Sequence, residues 1–360
     1  MSLEPGARVG ILGGGQLGRM LAMAAGRLGL DAVIFDPAAD GPAARVAAEH
    51  VTAAYDDLAA VEAFARSVDV VTYEFENVPV EAAQEAGRHA PLRPGFKALE
   101  TAQDRVIEKT FLNKHGAPTV AFRAVSTAQD VRAAAEALGT PAILKTRRFG
   151  YDGKGQAVIQ SPEEAEAAFD SIGAQPAILE AFAPFKRELS VIAARSVDGQ
   201  IAAFPVGENR HSGGILRQTF APAEISEATA SEAHRIVSAV LSALDYVGVI
   251  GVELFELEGG ALLVNEIAPR VHNTGHWTMD GCACDQFEQH IRAVAGWTLG
   301  QAEALTPTLM LNLIGSEAED WQRWLNTPNA ALHLYGKGEA RPGRKMGHVN
   351  ILHADGFQSV

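Results

Sequence analysis

Lys145 ends an apolar run and is followed by Arg147-Arg148-Phe149-Gly150-Tyr151-Asp152-Gly153-Lys154-Gly155-Gln156. Glycine lets a backbone come close to phosphate, and the interleaved cations neutralise it. A basic hairpin that only faces water is the plainer reading, but so much glycine costs order with no other evident return. Farther along, Gly259-Gly260 reads as a two-residue hairpin turn with Glu258 facing Ala261. Counting back from it predicts Glu253 directly opposite Glu266, on a face made of Glu253, Phe255, Leu257, Leu262, Val264 and Glu266. Like charges opposed across a strand pair repel. On an otherwise apolar face they call for a hard cation such as Mg²⁺ shared with nucleotide phosphates. The same register puts Asn265 on the other face.

Two more carboxylates stand at strand ends. Glu180 closes Ile178-Leu179-Glu180 and leads into Ala181-Phe182-Ala183, a turn whose backbone would suit an adenine edge. Glu188 begins the next strand and would reach ribose hydroxyls. Singly, each also reads as an exposed strand-end acid. Gly13-Gly14-Gly15-Gln16-Leu17-Gly18 contains G-x-G-x-x-G between a strand and a helix, with Asp36 at the end of the next strand. That pattern predicts either a dinucleotide site or only a tight turn. The second, more specific glycine loop argues against a nicotinamide cofactor, although the first loop would still suit an anion at a helix N-terminus. Cys282 and Cys284 lie near His272, His276 and His290, but no second ligand pair has metal-site spacing, so they read as small buried thiols.

Elements must hold these groups in place. Arg8–Gly13, Asp31–Asp36 and Val68–Glu74 read as buried strands and Gln16–Gly29 as a helix, an alternation that predicts a parallel sheet. A helix follows over Gln103–His115, with Asp104 near its start. Thr127–Leu138 and Pro162–Ile172 read as helices, and Pro141–Lys145, Gln156–Gln160 and Ala177–Ala181 as strands. Glu188–Arg195 and Gln200–Pro205 form a hairpin about Asp198-Gly199. Glu224–Leu244 is a long helix, and a smaller region lies beyond Gly300.

The 360 residues allow two or three domains, and 47% hydrophobic with 21% charged residues is the mix of a soluble globular chain. A net charge of −14 argues against broad nucleic-acid binding, while local basic clusters can still hold a small anion. No apolar run approaches the roughly 20 residues needed to span a bilayer. No signal peptide is read at the N-terminus, and two neighbouring cysteines fit a reducing cytoplasm.

Taken together, Lys145, the loop Gly150–Gln156, Glu180, Glu188, Glu253 and Asn265-Glu266 resemble the ATP-grasp fold. Further stretches are similar to the N5-carboxyaminoimidazole ribonucleotide synthetase family. These are Gly15-Gln16-Leu17-Gly18-Arg19-Met20, Glu74-Phe75-Glu76-Asn77-Val78, Ala268–Trp277 and Arg341-Pro342-Gly343-Arg344-Lys345-Met346-Gly347-His348. The resemblance runs in order over nearly the whole chain, and it implies that a final helical segment common in such enzymes is shortened or missing after His348. It implies an α/β and α+β architecture. A Rossmann-like pre-ATP-grasp parallel sheet would occupy 1–104, and a central ATP-grasp domain pair 105–300 with a lid subdomain at about 118–182. A small C-terminal domain at 301–360 would complete the substrate site.

The resemblance also implies the chemistry, which is ATP-dependent carboxylation of aminoimidazole ribonucleotide with bicarbonate through carboxyphosphate. The ATP site would comprise Arg105, Lys145, Gly150, Tyr151, Asp152, Gly153, Lys154, Gly155, Gln156, Glu180, Ala181, Phe182, Ala183, Glu188, His211, Asn265 and Glu266. Glu253 and Glu266 would hold Mg²⁺, with Mn²⁺ as an alternative. Gln16, Glu76, Tyr151, Asp152, Lys154, Arg270, His272, Asn273, Lys337 and Arg344 would surround the ribonucleotide. Catalytic roles would fall to Arg270, Lys337, His272 and Asn273, although His272 reads equally as a residue that only orients others. Lys154 stands where arginine is frequent in the family, keeping the charge without the planar fork. A homodimer is implied by the same resemblance. Rival readings are another ATP-grasp ligase with a different amine substrate, an NAD-dependent oxidoreductase built on the first glycine motif, and a nucleotide sensor without turnover.

Overall fold

A computed structural model describes residues 2–150 and 155–357. The elements are, first, β1 (Arg8–Leu12), α1 (Gln16–Arg27), β2 (Asp31–Phe35), β3 (Glu49–Val51), α2 (Leu58–Arg66), β4 (Val70–Tyr73), α3 (Val80–His89), α4 (Phe96–Ala102) and α5 (Arg105–Lys114). Next come β5 (Phe122–Val125), α6 (Ala128–Leu138), β6 (Ala142–Thr146), β7 (Gln156–Ile159), α7 (Ala165–Ser171) and β8 (Ala177–Ala181). The chain continues through β9 (Phe185–Arg195), β10 (Ile201–Ala203), β11 (Gly207–Ser212), β12 (Ile215–Ala221), α8 (Glu227–Ala243), β13 (Gly248–Leu257), β14 (Leu262–Ala268), α9 (Thr278–Gly281) and α10 (Gln286–Ala295). Last are β15 (Thr308–Ile314), α11 (Trp321–Leu325), β16 (Ala330–Leu334) and β17 (Lys345–Leu352).

The first hundred residues form the expected parallel sheet, in the order β3-β2-β1-β4. Its inner strands are apolar runs buried along most of their length, as sheets covered on both faces require. A second, four-stranded sheet (β5-β8-β6-β7) carries α6 and α7. Thr127 caps α6 through a reciprocal pair with Asp130. The third sheet is the largest and runs β14-β13-β9-β11-β12-β15-β17-β16, with β10 beside β9. The residues beyond 300 therefore extend this sheet. The expected helix over Pro162–Ile172 is a 3₁₀ turn followed by α7. The expected start at Glu188 is corrected to Phe185, because the strand runs on past Lys186 to pair Phe185 with Leu257.

One apolar cluster joins the parallel sheet to the large one. Leu17, Leu21 and Ala25 of α1 share it with Phe287, Ile291 and Val294 of α10, Ile192 of β9 and Trp277. Polar ties cross the same seam. His290 accepts the Val249 N–H (3.0 Å) and meets the Thr72 hydroxyl at 2.8 Å, and Trp297 Nε1 donates to the Leu3 carbonyl at 2.8 Å.

Candidate active site

A cavity of about 370 Å³ lies between the small and large sheets, a volume suited to small-molecule ligands. The small sheet contributes Lys145 of β6 and Gln156 of β7, and the large sheet Glu188, His211, Glu253, Asn265 and Glu266. Gln16, Glu76, Arg105, Arg270, His272 and Asn273 close it, with Gly150 and Gly155 at its edge. Tyr151, Asp152, Gly153 and Lys154 lie outside the described residues.

The paired carboxylates owe their position to a β-bulge. Near the turn the strands pair Glu256 with Leu262, Phe255 with Leu263 and Leu254 with Val264. The turn is thus one residue longer than a two-residue hairpin, and Leu257 N–H reaches the Ala261 carbonyl. One residue farther in, the register shifts between Glu253 and Leu254, leaving Asn265 as the extra residue and pairing Glu253 with Glu266. Two offsets cancel. The expected pairing of the acids holds, but the expected faces of three neighbours are corrected. Leu262 and Val264 point into the core with Val252 and Leu254, while Asn265 turns toward the cavity and donates Nδ2–H to Glu253 at 3.4 Å.

Electrostatics separate the two acids. Burial opposes ionisation of Glu266, but Arg105, 2.8 Å away, outweighs it and holds the carboxyl at about 2. Burial and the neighbouring Glu266 charge push Glu253 up to about 7. The Oδ1 of Asn265 is a buried acceptor without a hydrogen-bond partner. Two carboxylates and an orphan amide oxygen form the hard-oxygen donor set that fits Mg²⁺ or Mn²⁺. His272 stands 3.6 Å from Glu253. Its Nδ1 accepts the Thr274 N–H (3.4 Å), which leaves Nε2 carrying the proton toward the acid. Burial and the nearby Arg270 charge lower its pKa to about 3, so the ring is neutral.

Arg270 is ion-paired with Glu76. His211 Nδ1 meets Glu188 at 2.6 Å, and although burial disfavours its charge, that carboxylate raises its pKa. Glu180 lies behind the wall, 3% exposed, with Lys145 at 2.8 Å. Ala181 ends β8 and Phe182 is half-exposed, and neither they nor Ala183 line the cavity. Lys337 and Arg344 are not in it either. They line a second hollow with Gly14, Gly15, Asp36, Arg45 and Glu74, where Lys337 Nζ donates to the Lys345 carbonyl at 2.7 Å. The two hollows share three segments. Gly15 faces one and Gln16 the other, as do Glu74 and Glu76, and Arg344 and Lys345.

The first glycine motif has an internal occupant. The amides of Gly15 and Gly18 donate to the buried Glu74 carboxylate (2.8 and 2.9 Å), and that of Gly14 to Asp36 (2.8 Å). A Cβ on Gly15 would meet Glu74 at 2.6 Å, so this glycine makes room for the chain's own carboxylate. The amides of Gly14, Gly15 and Gly18 are thus taken by the chain's own carboxylates, while Gly14 and Gly15 still line the hollow that holds Lys337 and Arg344. Cys282 and Cys284 are free and buried, with burial pushing both thiols up to about 12.

Sequence reasoning missed Glu108, Lys109 and Lys345, and it placed Phe255 on the face of Glu253 without giving it a part in the site. Phe255 and Lys345 line the cavity. Glu108 and Lys109 sit three and four residues after Arg105, on one face of α5. That helical spacing was the available signal.

Comparison with known proteins gives the family. Residues 7–103 match the ribonucleotide synthetase preATP-grasp domain, 110–287 the ATP-grasp domain, and 308–358 the phosphoribosylaminoimidazole carboxylase C-terminal domain. The N5-carboxyaminoimidazole ribonucleotide synthase of Brucella melitensis is 53% identical over 353 residues, covering 98% of each chain. A crystal structure of an N5-carboxyaminoimidazole ribonucleotide synthetase as its ADP complex superposes with a TM-score of 0.94 at 42% identity, covering 98% of this chain and 93% of the other. The Aspergillus clavatus enzyme in complex with ADP and 5-aminoimidazole ribonucleotide superposes with a TM-score of 0.91 at 35% identity, covering 97% and 94%. The chain that folds its bulged acid pair against Lys145 and Arg270 belongs to the N5-carboxyaminoimidazole ribonucleotide synthase family of ATP-grasp ligases.

Proposed function

We propose that this enzyme carries out its family's ATP-dependent carboxylation of 5-aminoimidazole ribonucleotide with bicarbonate as the carboxyl donor, and that the two hollows divide the work. Support comes first from the acid pair Glu253/Glu266, brought by a bulge into the same cavity as Lys145 and Arg270. In this reading Lys145, Arg105, the Gly150–Gln156 loop, Glu188 and His211 hold ATP between the two antiparallel sheets, with Glu180 and the Ala181–Ala183 segment behind them. Glu253, Glu266 and Asn265 hold Mg²⁺ (or Mn²⁺), which when bound neutralises phosphate charge. Gln16, Glu76, Arg270, His272 and Asn273 surround the aminoimidazole. Lys337 and Arg344 receive the ribose phosphate in the adjoining hollow, and the three shared segments suit one substrate that spans both.

Bicarbonate is a poor electrophile. Its oxygen attacks the γ-phosphorus of ATP, giving carboxyphosphate and ADP, and the protein contributes mainly positioning and charge neutralisation. The substrate amine then attacks the carboxyphosphate carbon and expels phosphate, or attacks the CO₂ left when phosphate departs; the C–N bond forms, the amine's proton passes to the departing phosphate, and Arg270 stabilises the negative charge that develops. A neutral His272 donates toward Glu253 and keeps that acid oriented. Residues 1–104 supply the substrate side, 105–300 the nucleotide, with 118–182 covering it, and 301–360 complete the phosphate end. The protein works in the cytoplasm as a homodimer, an oligomeric state that sedimentation measures directly. No helix among the described residues is long and apolar enough to cross a membrane.

The decisive assay is ADP release by the purified protein. It is expected only when 5-aminoimidazole ribonucleotide and bicarbonate are both present, and Glu266→Gln is expected to lower it by about a hundredfold or more while the fold persists. Equal ADP release with other amines would point to a different ligase, and wild-type turnover in Glu266→Gln would remove the metal assignment.

A further inference from the structure

Three residues of α5 grip three successive residues of β14. Arg105 holds the Glu266 carboxylate at 2.8 Å, Glu108 accepts the Ile267 N–H at 2.7 Å, and Lys109 donates to the Asn265 carbonyl at 2.9 Å. Lys109 is the least expected of these, because its side chain is 0% exposed. A lysine is almost never fully buried unless paired. Its ammonium stands 3.3 Å from one oxygen of Glu180, while the other oxygen takes Lys145 at 2.8 Å. Glu180 is thus a buried carboxylate between two lysines. One of them lines the cavity and the other is sealed in the wall behind it.

We propose that Lys109 is a positioning residue of the nucleotide site, the permanent counter-ion of Glu180 that leaves Lys145 able to exchange that carboxylate for phosphate. The inference rests on the reading of Lys145 as a phosphate-binding group. If Lys145 were the sole close cation, turning it toward a ligand would strand a buried negative charge, which is strongly unfavourable. With Lys109 in place the exchange leaves Glu180 paired. The same ammonium holds the carbonyl of Asn265, the bulged residue, so one buried charge steadies both the phosphate-facing lysine and the strand that carries the acids.

The test compares ADP with adenosine, measured by calorimetry without divalent metal on the intact protein. Lys109→Met is expected to weaken ADP by about tenfold or more and to leave adenosine within about twofold, because only the phosphate draws on Lys145. Lys145→Met should do the same. Lys109→Gln, which keeps hydrogen-bond donors without the charge, replaces the methionine variant if that protein does not fold. Equal weakening of ADP and adenosine would mark Lys109 as merely structural and overturn the proposal. So would unchanged ADP affinity in the Lys109 variant alongside a loss in Lys145→Met. Unchanged ADP affinity in Lys145→Met would instead overturn the phosphate reading of Lys145, and the proposal with it.

Discussion

Glu253 and Glu266 are like charges held face to face in a buried site. Their strand positions force two acids together, and Arg105 neutralises only the second. Without metal, Glu253 is the group that yields. Its folded pKa of about 7 lies above the ordinary 4.5, so its contribution to stability is complete below about 4.5 and lost as pH rises through 7. Glu253→Gln should therefore raise the melting temperature in EDTA at pH 8, by about 1 kcal/mol or more of stability, while ADP release falls about a hundredfold or more. Calorimetric melting and the ADP-release assay check the two halves. A site that gains stability as it loses activity behaves as strained functional sites do.

At the scale of elements, α5 and the β13–β14 hairpin form one unit. Asp104 caps α5 by accepting the Val106 and Ile107 amides at 3.0 and 3.3 Å, and it also takes Arg147. Within this unit Glu108 is pushed up to about 8 by burial and by Glu266. A raised carboxyl favours folding fully below about 4.5 and loses that contribution as pH rises through 8. Glu108→Gln should match wild type near pH 5 and melt higher than it near pH 8, a difference that grows with pH and is read from paired thermal melts. The unit also shows where the sequence was legible. Strand alternation and the double glycine located the acid pair. The bulge at Asn265 left no mark in the residue pattern, because a longer turn offset it and the end result looked regular. Arg105, Glu108 and Lys109 carried helical spacing, yet a buried lysine is too rare for spacing alone to suggest. Lys337 and Arg344 were matched to the substrate, but only coordinates separate their hollow from the one that holds Arg270.

At the scale of the whole chain, the cluster shared by α1, α10 and the large sheet makes the parallel sheet part of a common core. Arg27 reinforces this across the seam, with Asp285 at 2.9 Å and Glu288 at 2.5 Å. Leu21 is fully buried there. Leu21→Ala should cost about 2–5 kcal/mol and lower the melting of the large sheet together with that of the parallel one, as a single transition. Differential scanning calorimetry would show two separated peaks if the seam were loose. Such coupling suits a site whose walls come from all three sheets. It also explains why the parallel sheet and the β13–β14 hairpin were readable from sequence while their placement against each other was not, since packing between distant segments leaves little periodic signature.

The carboxylate of Glu74 seated on the amides of Gly15 and Gly18 carries one more consequence. A turn with the glycine pattern of a dinucleotide site is stoppered here by the protein's own side chain, and Gly15 makes room for the stopper. Drawing that stopper, as in Glu74→Ala, would bare a cluster of backbone donors at the head of a twelve-residue helix. Inorganic phosphate would then meet free backbone donors on the wall of the hollow that Lys337 and Arg344 line, donors that the native molecule keeps for its own carboxylate.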